Sequence, residues 1–386
     1  MKIAIVGCGY VADYYMLTLR NHPDLALAGV YDRRSERMKV FASFHKVPVY
    51  PSLAALLEDP EVEMVLNLTN PGSHYDVSKA ALESGKHVYS EKPLAMSVED
   101  GEDLVRIAHA RGLAITAAPC SILGEAALAA GQAIRDGRLG QVRLAYAEME
   151  DSMVFREHFR DWHSPSGAPW PAHDEFAVGC TLEHAGYYLT WLCAFFGPAT
   201  EVTAFSARLF DEKNLPSPPG GWAGDFSVTC LRFGGGVVAR LTCGLAAPRD
   251  RSLHVVGTEG TMTVTDGWNY RSGVWLRDAE GRPRSRIPKL PQAIGRLERY
   301  LPGRHWLGER LALRPSAAIT PGFPSRMDFS RGPAATARAL KQGRDLPMPA
   351  DFALHITELA LVAQDAGRFP SPYKPRSSFS SLPLLD

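Results

Sequence analysis

Residues 2–12 read KIAIVGCGYVA, a short branched apolar run that passes directly into Gly7-Cys8-Gly9. The run Lys2 to Val6 is suited to a buried parallel strand. Gly7 can make the tight turn that follows, Gly9 leaves room beside the backbone for a pyrophosphate, and Ala12 lets the next helix pack closely on the strand. Free N–H groups at that helix start, around Tyr10 and Val11, can hold a diphosphate without a cationic side chain. On its own the pattern is equally a tight strand-to-helix turn.

The residues beyond it repeat the same alternation. Leu25 to Tyr31 reads as a second strand ending at Asp32, about 20 residues past Ala12, where an acid can accept hydrogen bonds from ribose hydroxyls. That acid favours NAD over NADP, although Arg33 and Arg34 could pair with a phosphate or stack on adenine. A helix begins in 51–58, Val62 to Leu68 is a strand, and a helix spans 73–84. Lys86 to Ser90 is the next strand. This βαβ order predicts an open parallel sheet of Rossmann type, with its ligand beyond the carboxyl ends of the strands. Thr69, Asn70, His74, Glu91 and Lys92 all fall there, on the cofactor side. His74 could instead be satisfied by backbone at a helix start. Lys92 precedes Pro93 and can direct an ammonium at a substrate hydroxyl or a developing alkoxide. The plainer reading of Lys92 is a surface lysine paired with Glu91.

Together GCGYVA, Asp32, Thr69-Asn70-Pro71 with His74, and Glu91-Lys92-Pro93 resemble the glucose-fructose oxidoreductase, inositol dehydrogenase and MocA-like family. The resemblance covers nearly the whole chain and is weakest around 270–325. It implies a nicotinamide-binding domain over 1–120. A second domain over 121–386 would carry a large, mostly antiparallel sheet for substrate binding and for assembly into a homodimer or homotetramer. It also implies that Lys92 is the catalytic lysine and that the substrate is a sugar, polyol or sugar derivative. The cofactor would be NAD, with NADP accommodated.

In the second half, 155–178 has loop composition. There Trp162, His163 and Asp174 are the candidate substrate contacts, with Trp170 offering a second flat face. Residues 182–196 read as one buried helix stopped by Gly197. On it Glu183 and Tyr187 share a face, and His184 and Tyr188 share the next. Relatives carry an aspartate and a histidine at the spacing of Glu183 and Tyr187, and this chain resembles a branch with tyrosine at the second position. A shift of one residue selects His184 and Tyr188 instead. Tyr187, His184 and Lys92 are therefore all candidate proton acceptors, with Glu183 orienting them and Tyr188 reaching substrate. Strands are expected at 226–233, 237–243, 253–256 and 261–265, and a late helix at 354–365. Arg249 and His254 could face the site.

Composition narrows the field further. The 42 basic and 42 acidic side chains of the 386 residues cancel, which argues against a nucleic-acid or membrane surface. The six cysteines form no C-x-x-C pair, so neither a metal centre nor a disulfide framework is expected. The opening residues resemble no signal peptide and no apolar run reaches membrane-spanning length, so a cytoplasmic protein is expected. Two other readings stay open. One is a lyase, epimerase or glycosidase that oxidises its sugar transiently with a tightly held cofactor. The other is a dinucleotide-binding sensor without turnover.

Overall fold

A computed structural model describes residues 1–279, 308–380 and 382. The segment RSRIPKLPQAIGRLERYLPGR within the weakly matching 270–325 stretch lies outside the described residues. The first sheet is parallel throughout. Strands β1 (Lys2–Val6), β2 (Ala26–Tyr31), β3 (Met64–Asn67), β4 (His87–Ser90) and β5 (Ile115–Ala117) lie in the order β2-β1-β3-β4-β5. All four residues of β3 and three of β4 are buried, as a sheet covered on both faces requires. Five helices cover it: α1 (Ala12–Leu19), α2 (Ser35–His45), α3 (Leu53–Glu58), α4 (His74–Glu83) and α5 (Val98–Arg111). The strand order reverses between β1 and β3, and the crevice beyond their carboxyl ends is where such sheets bind ligands.

After α6 (Glu125–Arg135) the second sheet is mixed and largely antiparallel. It comprises β6 (Val142–Glu150), β7 (Ala199–Ala207), β8 (Phe226–Phe233), β9 (Val238–Gly244), β10 (Leu253–Gly257), β11 (Gly260–Val264), β12 (Val274–Asp278) and β13 (Glu309–Arg310). Their order is β13-β12-β11-β10-β6-β9-β8-β7, with β6 and β9 the parallel pair among antiparallel neighbours. Both sheets thus match the fold class read from the sequence.

Two local readings are corrected. The 155–178 stretch is not wholly loop, because α7 (Ala172–Val178) closes it. The helix expected over 182–196 begins earlier and is divided into α8 (Cys180–His184) and α9 (Gly186–Phe196). Ala185 between them keeps helical dihedrals, so Glu183 and Tyr187 still look the same way. Gly179 separates α7 from α8 at φ +103°, and any side chain there would collide with Gln364. Helix α8 rests on β8 and β9, and the late helix Ala350–Gln364 packs on α8, α9 and also α5. That helix ties the two sheets together and fixes the height of α8 above the crevice of the first.

Candidate active site

The glycine turn after β1 is the tight turn read from the sequence. Gly7 has φ +99°, and a Cβ on it would sit 2.5 Å from the Leu68 carbonyl oxygen, so only glycine lets the turn lie against the end of β3. A Cβ on Gly9 would meet no atom within 4 Å. Gly9 therefore presents open backbone to the cavity, and no side chain caps the start of α1 beside it. These features fit a diphosphate held by backbone N–H groups. The Asp32 carboxylate accepts from the Cys8 N–H and the Arg34 N–H, each at 2.8 Å, so it braces the turn from the end of β2.

One cavity of about 1120 Å³ runs from this turn into the second sheet's territory. That volume exceeds the roughly 300–1,000 Å³ typical of small-molecule sites, leaving space for a dinucleotide and a second ligand. Gly7, Gly9, Tyr10, Val11, Asp32, Arg33, Thr69, Asn70, Glu91 and Lys92 line one part; Trp162, Asp174, Glu183, His184 and Tyr187 line the other. Most of the predicted residues are therefore brought together.

Three are not. His74 is fully buried, its Nδ1 facing the Pro93 carbonyl at 2.6 Å and its Nε2 facing the Thr69 carbonyl at 3.0 Å. It braces the two backbone segments that carry Thr69 and Lys92 rather than lining the cavity. Tyr188 points the other way along α9, where its hydroxyl donates to the Arg251 carbonyl at 2.5 Å. His163 is exposed, with Nδ1 3.0 Å from the Asp161 carbonyl, and stands outside the cavity wall. Sequence spacing places such side chains on a face or a loop but does not say which side of the loop meets the cavity. His254 on β10 likewise faces Thr263, whereas Arg249 does line the cavity.

Lys92 decides the character of the site. Its ammonium donates to the Glu183 carboxylate, and its side chain is 18% exposed against 4% for Glu183. It is not a surface lysine paired with Glu91, which instead accepts from the Tyr15 hydroxyl at 2.7 Å and from the Lys92 N–H. Burial would lower the Lys92 pKa, but Glu183, Glu175, Tyr187 and Glu91 together outweigh it and hold the group well above the usual lysine range. Lys92 is a fixed cation. Burial pushes the Tyr187 phenol up despite the opposing pull of Lys92, and burial lowers His184 to about 4. The rings of Tyr187 and His184 lie 5.0 and 5.1 Å from the Trp268 ring, with the Arg251 guanidinium carbon 3.6 Å from that ring's centroid. Arg251 and Arg249 in turn reach Asp151, the latter at 3.2 Å.

Comparison with known proteins identifies the family. Residues 1–118 match the model of an oxidoreductase family with an NAD-binding Rossmann fold, and residues 127–263 match the GFO/IDH/MocA C-terminal domain. The chain belongs to the GFO/IDH/MocA oxidoreductase family. Its cofactor is accordingly a nicotinamide dinucleotide, NAD or NADP. Bovine trans-1,2-dihydrobenzene-1,2-diol dehydrogenase is 25% identical over 271 residues, which is 69% of this chain and 74% of that protein. D-apiose dehydrogenase of Paraburkholderia graminis is 24% identical over 301 residues, 76% of this chain and 74% of that protein. An uncharacterized oxidoreductase of Schizosaccharomyces pombe is 27% identical over 221 residues, only 56% of each chain. Among solved structures, aldose-aldose oxidoreductase from Caulobacter crescentus, complexed with glycerol, superposes with a TM-score of 0.70 at 18% identity, covering 95% of this chain and 98% of that one. At that identity the likeness is one of fold.

The GFO/IDH/MocA site also contains groups that the sequence did not single out. Glu175 on α7, Asp151 after β6, Arg251 just before β10 and Trp268 between β11 and β12 all line the cavity. Arg37 on α2 donates to the Cys8 carbonyl at 2.6 Å and to the Ser166 carbonyl at 2.9 Å. Asp13, buried in the first turn of α1, accepts from Ser164, from both N–H and hydroxyl of Ser166, and faces His45 at 2.5 Å. These bonds draw the 164–170 segment over the glycine turn. Only an acid at Asp13 four residues after Gly9 hints at this in the sequence. Among the described residues, no group of three or more His, Cys, Asp or Glu is placed to hold a metal, and no helix is long and apolar enough to cross a membrane.

Proposed function

We propose that the protein transfers a hydride between nicotinamide and a carbinol or carbonyl carbon of a sugar, polyol or related cyclic diol. The observation that carries this reading is the Lys92–Glu183 pair, set in the same cavity as the glycine turn. A permanently charged ammonium, held by a buried carboxylate, can donate to an alcohol oxygen and stabilise it as it becomes an alkoxide. The dinucleotide, when bound, supplies the hydride acceptor. Gly7, Gly9 and the start of α1 would hold its diphosphate, with Asp32 favouring NAD by opposing a 2'-phosphate. Trp268 and Tyr187 give a flat wall for a ring, and Trp162 and Asp174 line the same cavity. The names of the bovine and Paraburkholderia relatives support both a cyclic diol and a branched sugar as first substrates to test.

A second reading has one specific observation in its favour. The Asp13 and Arg37 bonds pin the 164–170 segment across the glycine turn, which would slow cofactor exchange. A retained cofactor suits a lyase, epimerase or glycosidase that oxidises its substrate and then takes the hydride back. Offering NAD and D-apiose or trans-1,2-dihydrobenzene-1,2-diol to the purified protein separates the two. Reduced nicotinamide accumulating one-for-one with product supports the dehydrogenase, and product without reduced nicotinamide supports the internal cycle.

A further inference from the structure

Oxidation of a carbinol releases a proton as well as a hydride, and the three acceptors named from the sequence are poorly suited to take it. Lys92 already carries its full complement of protons. Tyr187 holds its own proton beyond the ordinary phenol range, and His184, at about 4, is a weak base at neutral pH. The cavity offers a further candidate.

Glu175 lies on α7, eight residues before Glu183, and lines the same cavity as Lys92. The turn at Gly179 places it there. The Gly179 N–H donates to the Glu175 carbonyl at 3.0 Å, and the Glu183 N–H donates to the Gly179 carbonyl at 3.1 Å. This packs α7 against α8, so Glu175 and Glu183 line the one cavity that also holds the Lys92 ammonium. A third carboxylate, Glu91, lines the cavity from the end of β4. Glu183 takes the Lys92 hydrogen bond, and Glu91 is engaged by Tyr15. Among the described residues no hydrogen bond reaches the Glu175 carboxylate. The bonded charge of Lys92 is thus taken up by Glu183, and the acid left without a bonded partner is the one that most readily holds a proton.

We infer that Glu175 is the catalytic proton acceptor of the carbinol oxidation, a role that rests on the hydride-transfer reading above. The carbinol C–H bond breaks and its electron pair goes with hydrogen to nicotinamide C4. The O–H bond breaks and its proton passes to the Glu175 carboxylate, leaving a C=O double bond. Glu175 then returns the proton to solvent, and in the reductive direction it is the donor. Lys92 remains a cation throughout and only donates to the oxygen. The electrostatic surroundings are consistent with this. Burial and the like charge of Glu183 push Glu175 up to about 8, with Lys92 pulling the other way and Glu91 and Asp174 adding to the rise. Tyr10 at the glycine turn and Tyr187 on α9 are further titratable groups lining the same cavity. A base poised near the working pH is the one that general acid–base catalysis favours.

The test uses the full chain with its dinucleotide, Glu175→Gln and Glu175→Asp variants, and D-apiose or trans-1,2-dihydrobenzene-1,2-diol as the probe substrate. Carbon NMR of labelled glutamate carboxyls, wild type against Glu175→Gln, reads the titration of Glu175 without any turnover. The expected results are a Glu175 resonance titrating well above the ordinary carboxylate range, and a wild-type oxidation kcat that rises with pH through about 8. In Glu175→Gln kcat falls about 100-fold and that pH limb disappears, while KM and dinucleotide affinity stay within about threefold. Glu175→Asp recovers part of the loss. A Glu175 resonance titrating in the ordinary range, or a Glu175→Gln enzyme with wild-type kcat and pH profile, overturns the inference. Wild-type protein that binds the dinucleotide but oxidises neither probe counts against the functional reading, and the NMR titration then decides the proton-holding role separately.

Discussion

The Lys92 ammonium donates to the Glu183 carboxylate, joining the end of the fourth parallel strand to a short helix laid on the second sheet. Because Glu183 is almost fully buried, removing Lys92 leaves an uncompensated charge in the cavity, and removing Glu183 strips the ammonium of its bonded partner. Glu183→Ala is expected to cost about 3–5 kcal/mol of stability, whereas Glu183→Gln keeps the shape and removes only the charge. Oxidation kcat should fall about 100-fold in Glu183→Gln, as the cation loses its orientation. Denaturant melts and steady-state kinetics on the two variants check both statements.

Asp32 braces the glycine turn through Cys8, and its carboxylate would oppose a 2'-phosphate there. Asp32→Ser should narrow the preference for NAD over NADP by roughly tenfold, about 1.4 kcal/mol in relative affinity. The exposed Arg33 and Arg34 beside it are then free to meet the added phosphate. Fluorescence titrations with both dinucleotides measure the change.

Asp13 gathers Ser164, Ser166, His45 and Arg37 at the first turn of the first helix. Burial alone would raise its pKa, but the bonds from His45, Ser164 and Ser166 prevail and lower it. Its contribution to stability is therefore present above the ordinary carboxylate pKa and is lost as pH falls through the lowered value. Asp13→Ala should release the 164–170 segment and speed dinucleotide dissociation about tenfold, chiefly as an off-rate effect. Stopped-flow displacement of bound dinucleotide gives that rate directly.

Two histidines make the fold sensitive to acid. Burial lowers both His184 and His355 to about 4, so between the ordinary histidine pKa of 6.5 and about 4 the unfolded chain binds more protons than the native one. Stability should decline as pH falls through that window and flatten below it. A His184→Gln, His355→Gln pair should show a shallower decline in Tm between these limits, measured by calorimetry across pH.

Much of this was legible in the residues themselves. The parallel sheet followed from apolar runs of the right length punctuated by Gly7, Asp32 and Gly85, because buried parallel strands have few other compositions. Lys92 was legible because strand-end position and a following proline restrict where its side chain can go. Glu175 was not. Its importance depends on the reversal at Gly179 that folds one short helix onto the next, and a positive φ leaves no periodicity to read. His74 and Tyr188 were misplaced for a related reason. Spacing along a helix fixes which residues share a face, but the packing of that helix decides whether the face meets a cavity or a neighbouring carbonyl.

The central claim is that this GFO/IDH/MocA protein moves hydride from a carbinol carbon past a fixed Lys92 cation. Its most direct test is transfer of deuterium from the carbinol position of labelled D-apiose or trans-1,2-dihydrobenzene-1,2-diol, followed by mass spectrometry of the nicotinamide and of the product. Deuterium should reach nicotinamide C4 in the wild type, and Lys92→Met should bind the dinucleotide normally but transfer at least about 100-fold more slowly. Wild-type rates of transfer in Lys92→Met, or product formed with all deuterium still on its original carbon, would contradict the account.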